Sequence, residues 1–416
     1  MHGTGSAALI GYRPQLKLTC EQGGEKMSRI IKVELHVFQF DARNLGAAGG
    51  GGIGALGCKR GATTRLTKYA VAIMTDNGLR GEYVTHWVGS PSALGQTIML
   101  APYLIGREAE EREGIYDDLK REARQFDHMG HGPIDIALWD LAGKKLGASV
   151  GELLGGYRKR LPAYASTYMG DRNGVLSSKE AYGDFAVQCY EMGFRAFKIH
   201  GWNEGNKREE ADNLLHVRSR VGDKMELMID PACQLRTFAD ALYVGRACDE
   251  ADYFWYEDPF RDSGTSAFAH KKLREMIKTP LLQTEHVRGV EPKADFLVAG
   301  GTDYLRVDPE YDLGITGCMK IAHLAESFGI DAEIHACGPA HRHCMSAIRN
   351  SNYYEMALVG PGTPNAVPPV YKCDYSDQLE AIGKDGCVPV PAGPGLGVQY
   401  DWDFIAKNRI ALHEFK

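Results

Sequence analysis

The chain has 416 residues, of which 44% are hydrophobic and 25% charged, and its formal net charge is −6. These numbers describe a globular protein long enough for more than one domain, and the mild acidity argues against a nucleic-acid-binding surface. No apolar run approaches the roughly 18 residues that a membrane-spanning helix needs. The ten cysteines form no Cys-x-x-Cys pair, which predicts a reducing, cytoplasmic setting without disulfides or a zinc knuckle.

The beginning of the chain is predicted to be an N-terminal extension followed by an α+β domain. Residues 1–26 are assigned to the extension because "MSRIIKVELHVF", from Met27, is typical of a natural start. Residues 27–155 are assigned to the α+β domain. Alternating apolar residues predict antiparallel strands up to about Gly89, and the Asn-Gly pair in "TDNG" predicts a hairpin between two of them.

Helices are predicted between residues 91 and 150. The segment "GPIDIALWDLAGKKLG" places Ile134, Leu138 and Leu141 on one stripe, which is the spacing of a helix that buries one face. Gly147 is the predicted end of this helix, since glycine is favoured just beyond a helix C-terminus.

A glycine-rich segment, residues 45–57, lies between the first two predicted strands. Its composition does not fix a conformation. It is either a flexible linker or a mobile flap over a site, and the composition alone favours neither interpretation.

From Leu161 the pattern becomes regular. Eight short apolar runs alternate with helical patterns, and they begin at residues 161, 195, 226, 253, 281, 304, 331 and 353. Eight strands that alternate with helices predict an α/β fold, a (β/α)8 TIM-like barrel, and we assign residues 156–390 to it.

Chemically active side chains lie at the ends of these strands, where barrel enzymes carry their catalytic groups. Three carboxylates end successive strands: Asp230, Glu257 and Glu285. They would repel one another unless a cation lay between them, and an all-oxygen donor set favours one Mg²⁺ per site. The alternative is a salt-bridge network with arginines such as Arg261 and Arg288.

The next strands carry Asp308, His335 and Glu355, and the second carries Lys198 and His200. A carboxylate bonded to one imidazole nitrogen fixes the tautomer and raises the basicity of the other nitrogen, so Asp308 and His335 are a candidate general-base pair. Glu355 is either a catalytic group or a rim residue.

This ordered set of residues resembles the enolase superfamily, specifically its mandelate racemase subgroup, over nearly the whole chain from Met27. The resemblance implies an N-terminal capping domain that the C-terminal segment, residues 391–416, completes. It implies that Asp230, Glu257 and Glu285 bind Mg²⁺ and that Asp308 and His335 remove the α-proton of a carboxylic acid. Lys198 would contact the substrate carboxylate, and Glu355 would donate a hydrogen bond to it as an enediolate forms.

The second strand departs from many relatives, which carry Lys-x-Lys where this chain has Lys198-Ile199-His200. His200 is therefore a base, an acid or a hydrogen-bonding contact to substrate. His286 is a second candidate acid and substrate contact. His341 and His343, in "HACGPAHRH", are expected to be loop or interface residues.

The capping domain is expected to contact the distal end of the substrate. His86, Trp87 and Tyr83 are candidate substrate-binding residues, and the alternative is that each side chain packs the loop that carries it.

The predicted function is a Mg²⁺-dependent dehydratase (a hydro-lyase) of a sugar acid, an aldonate or aldarate. It would remove the C2 proton and expel the C3 hydroxyl to give a 2-keto-3-deoxy acid. The alternative is a racemase or epimerase that uses His200 and His335 on opposite faces of the substrate, and a non-catalytic metal-binding barrel is a third interpretation. We expect a small-molecule substrate, no nucleic acid or membrane partner, and a homo-oligomer.

Overall fold

The computed structural model describes residues 27–48, 55–86, 91–126 and 128–416. The predicted N-terminal extension, residues 1–26, lies outside these ranges. No helix in the described residues combines the length and the apolar composition that crossing a membrane requires. Nine cysteines lie in the described residues, and all nine are free thiols.

An antiparallel sheet forms the cap. It contains β1 (Ile30–Ala47), β2 (Leu56–Thr75), β3 (Arg80–Val84) and the last strand of the chain, β13 (Arg409–Phe415), in the order β13-β1-β2-β3. The predicted Asn-Gly hairpin joins β2 to β3, with Gly78 at a φ of 82°. The ends of the glycine-rich segment are paired strand, since Gly46 lies opposite Gly57 in the β1–β2 ladder.

Four helices follow the sheet: α1 (Pro91–Leu100), α2 (Arg112–Glu122), α3 (Gly132–Leu146) and the short α4 (Val150–Leu153). The predicted stripe of α3 is buried, and this helix ends at Gly147 in the left-handed conformation. A Cβ atom at Gly81 would lie 2.2 Å from the carbonyl oxygen of Ala137, so a glycine is needed where β3 packs on α3.

Eight parallel strands form the barrel, and each begins within two residues of the predicted start. The strands are β4 (Arg160–Thr167), β5 (Ala196–Ile199), β6 (Glu226–Ile229), β7 (Trp255–Glu257), β8 (Leu281–Gln283), β9 (Tyr304–Val307), β10 (Ala332–Ile334) and β11 (Tyr354–Val359). Their order is β10-β9-β8-β7-β6-β5-β4-β11, so the eighth strand pairs with the first. A short strand, β12 (Cys387–Pro389), runs antiparallel to β4.

Helices connect the barrel strands and pack around them. They are α5 (Lys179–Met192), α6 (Lys207–Val221), α7 (Phe238–Glu250), α8 (Ala267–Arg274), α9 (Val290–Val298), α10 (Gly314–Ser327) and α11 (Pro339–Ala347). The last helix, α12 (Trp402–Lys407), leads into β13. The fold class is confirmed: a (β/α)8 barrel carries an α+β cap that the C-terminal segment completes. The predicted bounds between these parts stay predictions.

Candidate active site

A cavity of about 730 Å³ lies between the cap and the carboxyl ends of the barrel strands. The structure brings nearly all of the predicted barrel residues to this place. Those that line the cavity are Lys198, His200, Asp230, Glu285, His286, His335 and Glu355. Glu257 and Asp308 lie directly behind this surface, where they contact Lys198 and His335 respectively.

The three predicted metal ligands converge. Asp230, Glu257 and Glu285 each offer a carboxylate oxygen, and these oxygens all lie within 4.8 Å of one another. Oxygens on opposite sides of one Mg²⁺ are about 4.2 Å apart, because each bond is about 2.1 Å long. Small side-chain movements would therefore bring all three onto one ion, so the donor set and its spacing fit Mg²⁺.

Cations and imidazoles already face this trio. Both oxygens of Glu257 are paired, one with the Lys198 ammonium at 2.8 Å and one with the Arg306 Nε at 2.7 Å. Asp230 and Glu285 face imidazoles instead: His200 Nε2 lies 3.1 Å from Asp230 Oδ2, and His335 Nε2 lies 3.3 Å from Glu285 Oε1. A salt-bridge network therefore exists, but its permanently charged members, Lys198 and Arg306, make their close contacts with the trio through Glu257.

Arg306 is the main residue that the sequence prediction missed. It is fully buried inside the barrel and pairs with Glu257 and, at 2.8 Å, with Glu355 Oε2. Its Nη2 also donates to the hydroxyl of Tyr164 at 3.0 Å. The signal was present in "YLRVDP", because the two-residue period of a strand places Arg306 on the same face as Asp308.

The surroundings of Glu355 bear on its predicted role, which stays a prediction. The predicted donation of a hydrogen bond to the substrate needs a protonated carboxyl, but the structure surrounds Glu355 with Arg306 and Lys198, the latter at 3.0 Å. Burial alone would raise the pKa of Glu355, yet Lys198 and Arg306 outweigh it and hold that pKa well below its ordinary value. Glu355 is an acceptor here, and it also receives the backbone N–H of Ala336 at 2.7 Å.

Asp308 and His335 form a hydrogen-bonded pair. His335 Nδ1 lies 2.6 Å from Asp308 Oδ2. Burial lowers the pKa of His335, but Glu285 and the bond to Asp308 outweigh it and raise the pKa to about 9. Asp308 also faces His341, whose Nε2 lies 3.3 Å from Oδ1.

The expectation that His341 and His343 are loop or interface residues is wrong. Both lie on α11 and are fully buried. His343 Nδ1 accepts the backbone N–H of Gly151 at 3.0 Å, and its Nε2 lies 3.0 Å from the carbonyl oxygen of Leu396. These contacts tie α11 to α4 and to the C-terminal segment.

The cap residues also require correction. Tyr83 is buried and donates its hydroxyl to Glu310 Oε1 at 2.7 Å. His86 is buried too, with Nδ1 2.8 Å from the carbonyl oxygen of Cys337, and burial lowers the pKa of its imidazole to about 4. Both side chains support the cavity wall from behind rather than reaching the substrate space. Trp87 lies outside the described residues.

Other cap residues line the cavity, including Arg65, Thr67 and Lys68 of β2. The Lys68 ammonium donates to the carbonyl oxygen of His86, and burial lowers its pKa to about 8. Arg65 pairs with Asp41 at 2.8 Å and is largely exposed. The cap therefore presents two cations to the side of the cavity opposite the barrel.

Comparisons with known proteins agree with this arrangement. Residues 181–404 match the model of the family described as "Enolase C-terminal domain-like", and residues 59–155 match "Mandelate racemase / muconate lactonizing enzyme, N-terminal domain". Among curated proteins, D-galactarolactone cycloisomerase of Agrobacterium fabrum is 30% identical over 331 residues, which are 76% of this chain and 82% of that protein. Arabinonate dehydratase of Saccharolobus solfataricus is 26% identical over 348 residues, 79% and 87% of the two chains.

A solved structure shows the same fold over almost the whole chain. D-glucarate dehydratase from Agrobacterium tumefaciens, crystallised with magnesium, superposes with a TM-score of 0.83 at 29% identity, covering 93% of this chain and 100% of that one. The relatives are thus sugar-acid dehydratases and cycloisomerases. The chain belongs to the enolase superfamily, in its mandelate racemase subgroup.

Proposed function

We propose that the protein is a Mg²⁺-dependent dehydratase of a sugar acid, most specifically of an aldarate. The observation that carries the proposal is the hydrogen-bonded Asp308–His335 pair, which lies against the convergent carboxylates in a cavity that a cap closes. This is the arrangement that removal of an α-proton from a carboxylic acid requires.

Asp230, Glu257 and Glu285 would hold the Mg²⁺ ion. When bound, the ion supplies Lewis-acid stabilisation of the second negative charge that develops on the substrate carboxylate. Lys198 adds to this stabilisation from the protein, because its ammonium lines the cavity and is only 1% exposed. Glu257 and Glu355, at 2.8 and 3.0 Å, keep that ammonium in position.

His335 would take the C2 proton on Nε2. Its Nδ1 hydrogen is directed to Asp308, so Nε2, which lies on the cavity side close to Glu285, is the nitrogen that exchanges a proton with the substrate. The C3–O bond then breaks, and the departing hydroxide takes a proton to leave as water. His335 can return its own proton if the elimination is syn. The enol that remains tautomerises to the 2-keto-3-deoxy acid.

Two further imidazoles are candidate acids for the departing hydroxyl. His200 lines the cavity and directs Nε2 to Asp230, and because a carboxylate only accepts, Nε2 carries the hydrogen and Nδ1 is the basic nitrogen. His286 lines the cavity as well, and its Nε2 lies 3.3 Å from Asp258 Oδ2. The role of each stays a prediction, as do the cytoplasmic location and the homo-oligomer.

The cap cations favour an aldarate over an aldonate. Lys68 and Arg65 face the cavity from the side opposite the barrel, where a second carboxylate of a dicarboxylic sugar acid would lie. The second carboxylate of an aldarate would form charge-assisted contacts with these cations, which the terminal hydroxyl of an aldonate cannot form. The names of two relatives, D-glucarate dehydratase and D-galactarolactone cycloisomerase, refer to sugar diacids or their lactones.

A cycloisomerase is the second candidate, because the relative that is 30% identical carries that name. The polar side chains of the cavity do not distinguish the two activities, since this cycloisomerase, by its name, also acts on a polar substrate, a sugar-acid lactone.

The test is to incubate the purified protein with Mg²⁺, in deuterated water, with panels of aldarates, aldonates and their lactones. A dehydratase gives a 2-keto acid that has lost one water and carries solvent deuterium at C3, introduced when the enol tautomerises. A cycloisomerase gives an isomer that carries solvent deuterium but has lost no water, and a racemase gives deuterium at C2 with inversion. Either of the last two results, without loss of water from any acid, would contradict the proposal.

A further inference from the structure

A second group of metal-binding side chains lies beside the carboxylate trio. Cys233, Asp258 and His286 each offer one ligand atom, a sulfur, a carboxylate oxygen and an imidazole nitrogen, and these atoms lie within 4.8 Å of one another. All three residues line the cavity. No role was predicted for Cys233 or Asp258 from the sequence.

The backbone directs two of these side chains toward each other. Cys233 follows β6 with a φ of 58°, and Asp258 follows β7 with a φ of 34°, a region that residues other than glycine seldom adopt. The N–H of Cys233 donates to the carbonyl oxygen of Asp258 at 2.9 Å, which joins the two turns. A Cβ atom at Gly264 would lie 2.7 Å from Asp258 Oδ1, so the following loop closes tightly over this carboxylate.

Asp258 lacks the partners that a buried carboxylate needs. It is 1% exposed, and neither of its oxygens accepts a hydrogen bond from the residues that the structure describes. The imidazole of His286 lies nearby, with Nε2 3.3 Å from Asp258 Oδ2. An isolated buried carboxylate is costly, and such groups are paired or coordinate metals.

We propose that Cys233, Asp258 and His286 form a second metal site, which binds a borderline-soft divalent cation such as Zn²⁺ or Co²⁺. Sulfur and imidazole donors select these ions, whereas Mg²⁺ prefers oxygen donors alone and belongs to the neighbouring trio. Three protein ligands leave the fourth tetrahedral position open to water or to a substrate oxygen from the cavity.

Binding at this site releases a proton. Burial and the nearby carboxylates, Asp258 first among them, raise the pKa of the Cys233 thiol, so the thiol is protonated before the cation arrives. The sulfur–metal bond replaces the sulfur–hydrogen bond, and the proton passes to solvent. When His286 ligates the cation, it is not available as the acid for the departing hydroxyl.

The experiment uses the full-length protein in excess Mg²⁺, which fills the oxygen site, and Co²⁺ as the probe. We expect a thiolate-to-cobalt charge-transfer absorption in the near ultraviolet that saturates at one Co²⁺ per chain, accompanied by proton release. C233S should abolish the absorption. C373S is the matched control, because Cys373 is an exposed free thiol elsewhere, and it should leave the absorption unchanged.

H286Q keeps every thiol and is the second variant, which covers the case in which C233S does not fold. It should weaken Co²⁺ binding by about 100-fold or more, because one of three protein ligands is lost. A wild-type protein without the charge-transfer band, or a band that persists in both C233S and H286Q, overturns the proposal. Because binding is measured without substrate, failure of the proposed dehydratase activity would leave this result unaffected.

Discussion

Two arginine–carboxylate pairs of nearly equal length occupy different environments. Arg306 Nε lies 2.7 Å from Glu257 Oε1 inside the barrel, and both side chains are fully buried. Arg65 Nε lies 2.8 Å from Asp41 Oδ1 in the cap, with side-chain exposures of 66% and 48%. Water screens the exposed pair, whereas loss of one member of the buried pair leaves an uncompensated charge. Removing one charged side chain at the barrel mouth is therefore expected to destabilise the protein strongly. Removing one from the exposed face of the cap is expected to change stability little.

The largest expected effect is on turnover, and it concerns the proposed base. H335N should lower kcat by about 10³-fold or more, because general-base catalysis is lost while the carboxylate trio stays intact. C2 deuterium exchange and water loss measure the effect, and titration calorimetry with Mg²⁺ should show nearly unchanged affinity. A variant that turns over at the wild-type rate would remove His335 from the mechanism.

The second largest effect is on stability, and it distinguishes Arg306 from Arg65. R306M should destabilise the protein by about 3–5 kcal/mol, since Glu257 and Glu355 would lose a buried partner. R65M is the matched control in the cap and should change stability by less than about 1 kcal/mol. Urea unfolding, monitored by circular dichroism, measures both, and equal losses would remove the distinction between the two regions.

Lys68 tests whether the cap face selects a diacid. K68M should lower kcat/KM for the preferred aldarate by about 10–100-fold, because a charge-assisted contact to the distal carboxylate is lost. The aldonate of the same carbon skeleton is the control substrate, and its kcat/KM should hardly change. An equal loss for both substrates would mean that Lys68 only supports the fold of the wall.

The pKa of His335 tests whether Asp308 stabilises the protonated imidazole at the barrel mouth. In metal-free protein, D308N should lower that pKa from about 9, because the carboxylate that favours the imidazolium is gone. Since the folded value lies above the ordinary 6.5, the stability that this pair contributes is complete below about pH 6.5 and is lost as the pH rises through about 9. Proton NMR titration with a chelator present measures the shift. An unchanged pKa would show that Asp308 does not raise it and that Glu285 and Glu355 do.

The smallest effect is expected in the cap. Y83F should lower the free energy of unfolding by about 1–3 kcal/mol, because Glu310 loses a buried hydrogen bond. The KM for substrate should stay the same, as the hydroxyl lies behind the cavity wall. A large rise in KM with unchanged stability would restore the substrate contact that the sequence predicts for Tyr83.

The residues at the strand ends could be predicted, because a short apolar run indicates both the strand and the residue at which it ends. Asp230, Glu257 and Glu285 were found in this way, and the structure places their oxygens together. Asp258 and Cys233 could not be found, since their positive φ values re-aim the side chains against the two-residue period of a strand.

The orientation of Tyr83 and His86 could not be predicted from the sequence for a different reason. Tyr83 lies in β3 and His86 follows that strand, but tertiary contacts with Glu310 and Cys337 decide which way the two side chains face. Neither partner is close to them in the chain, so no local pattern carries the information. Arg306 is an intermediate case. The two-residue period of the strand predicts the face on which its side chain lies, but it does not predict the buried carboxylates with which the side chain pairs.

The pairing of β1 with β13 has a consequence for folding. Val33 lies opposite Phe415, and all eight barrel strands lie between these two residues in the sequence. Because β13 reaches β1 only when the intervening segment is compact, this edge of the cap sheet is a long-range contact that depends on the barrel. Loss of β13 would leave the backbone N–H and C=O groups along that edge of β1 unpaired, and an unpaired strand edge favours aggregation.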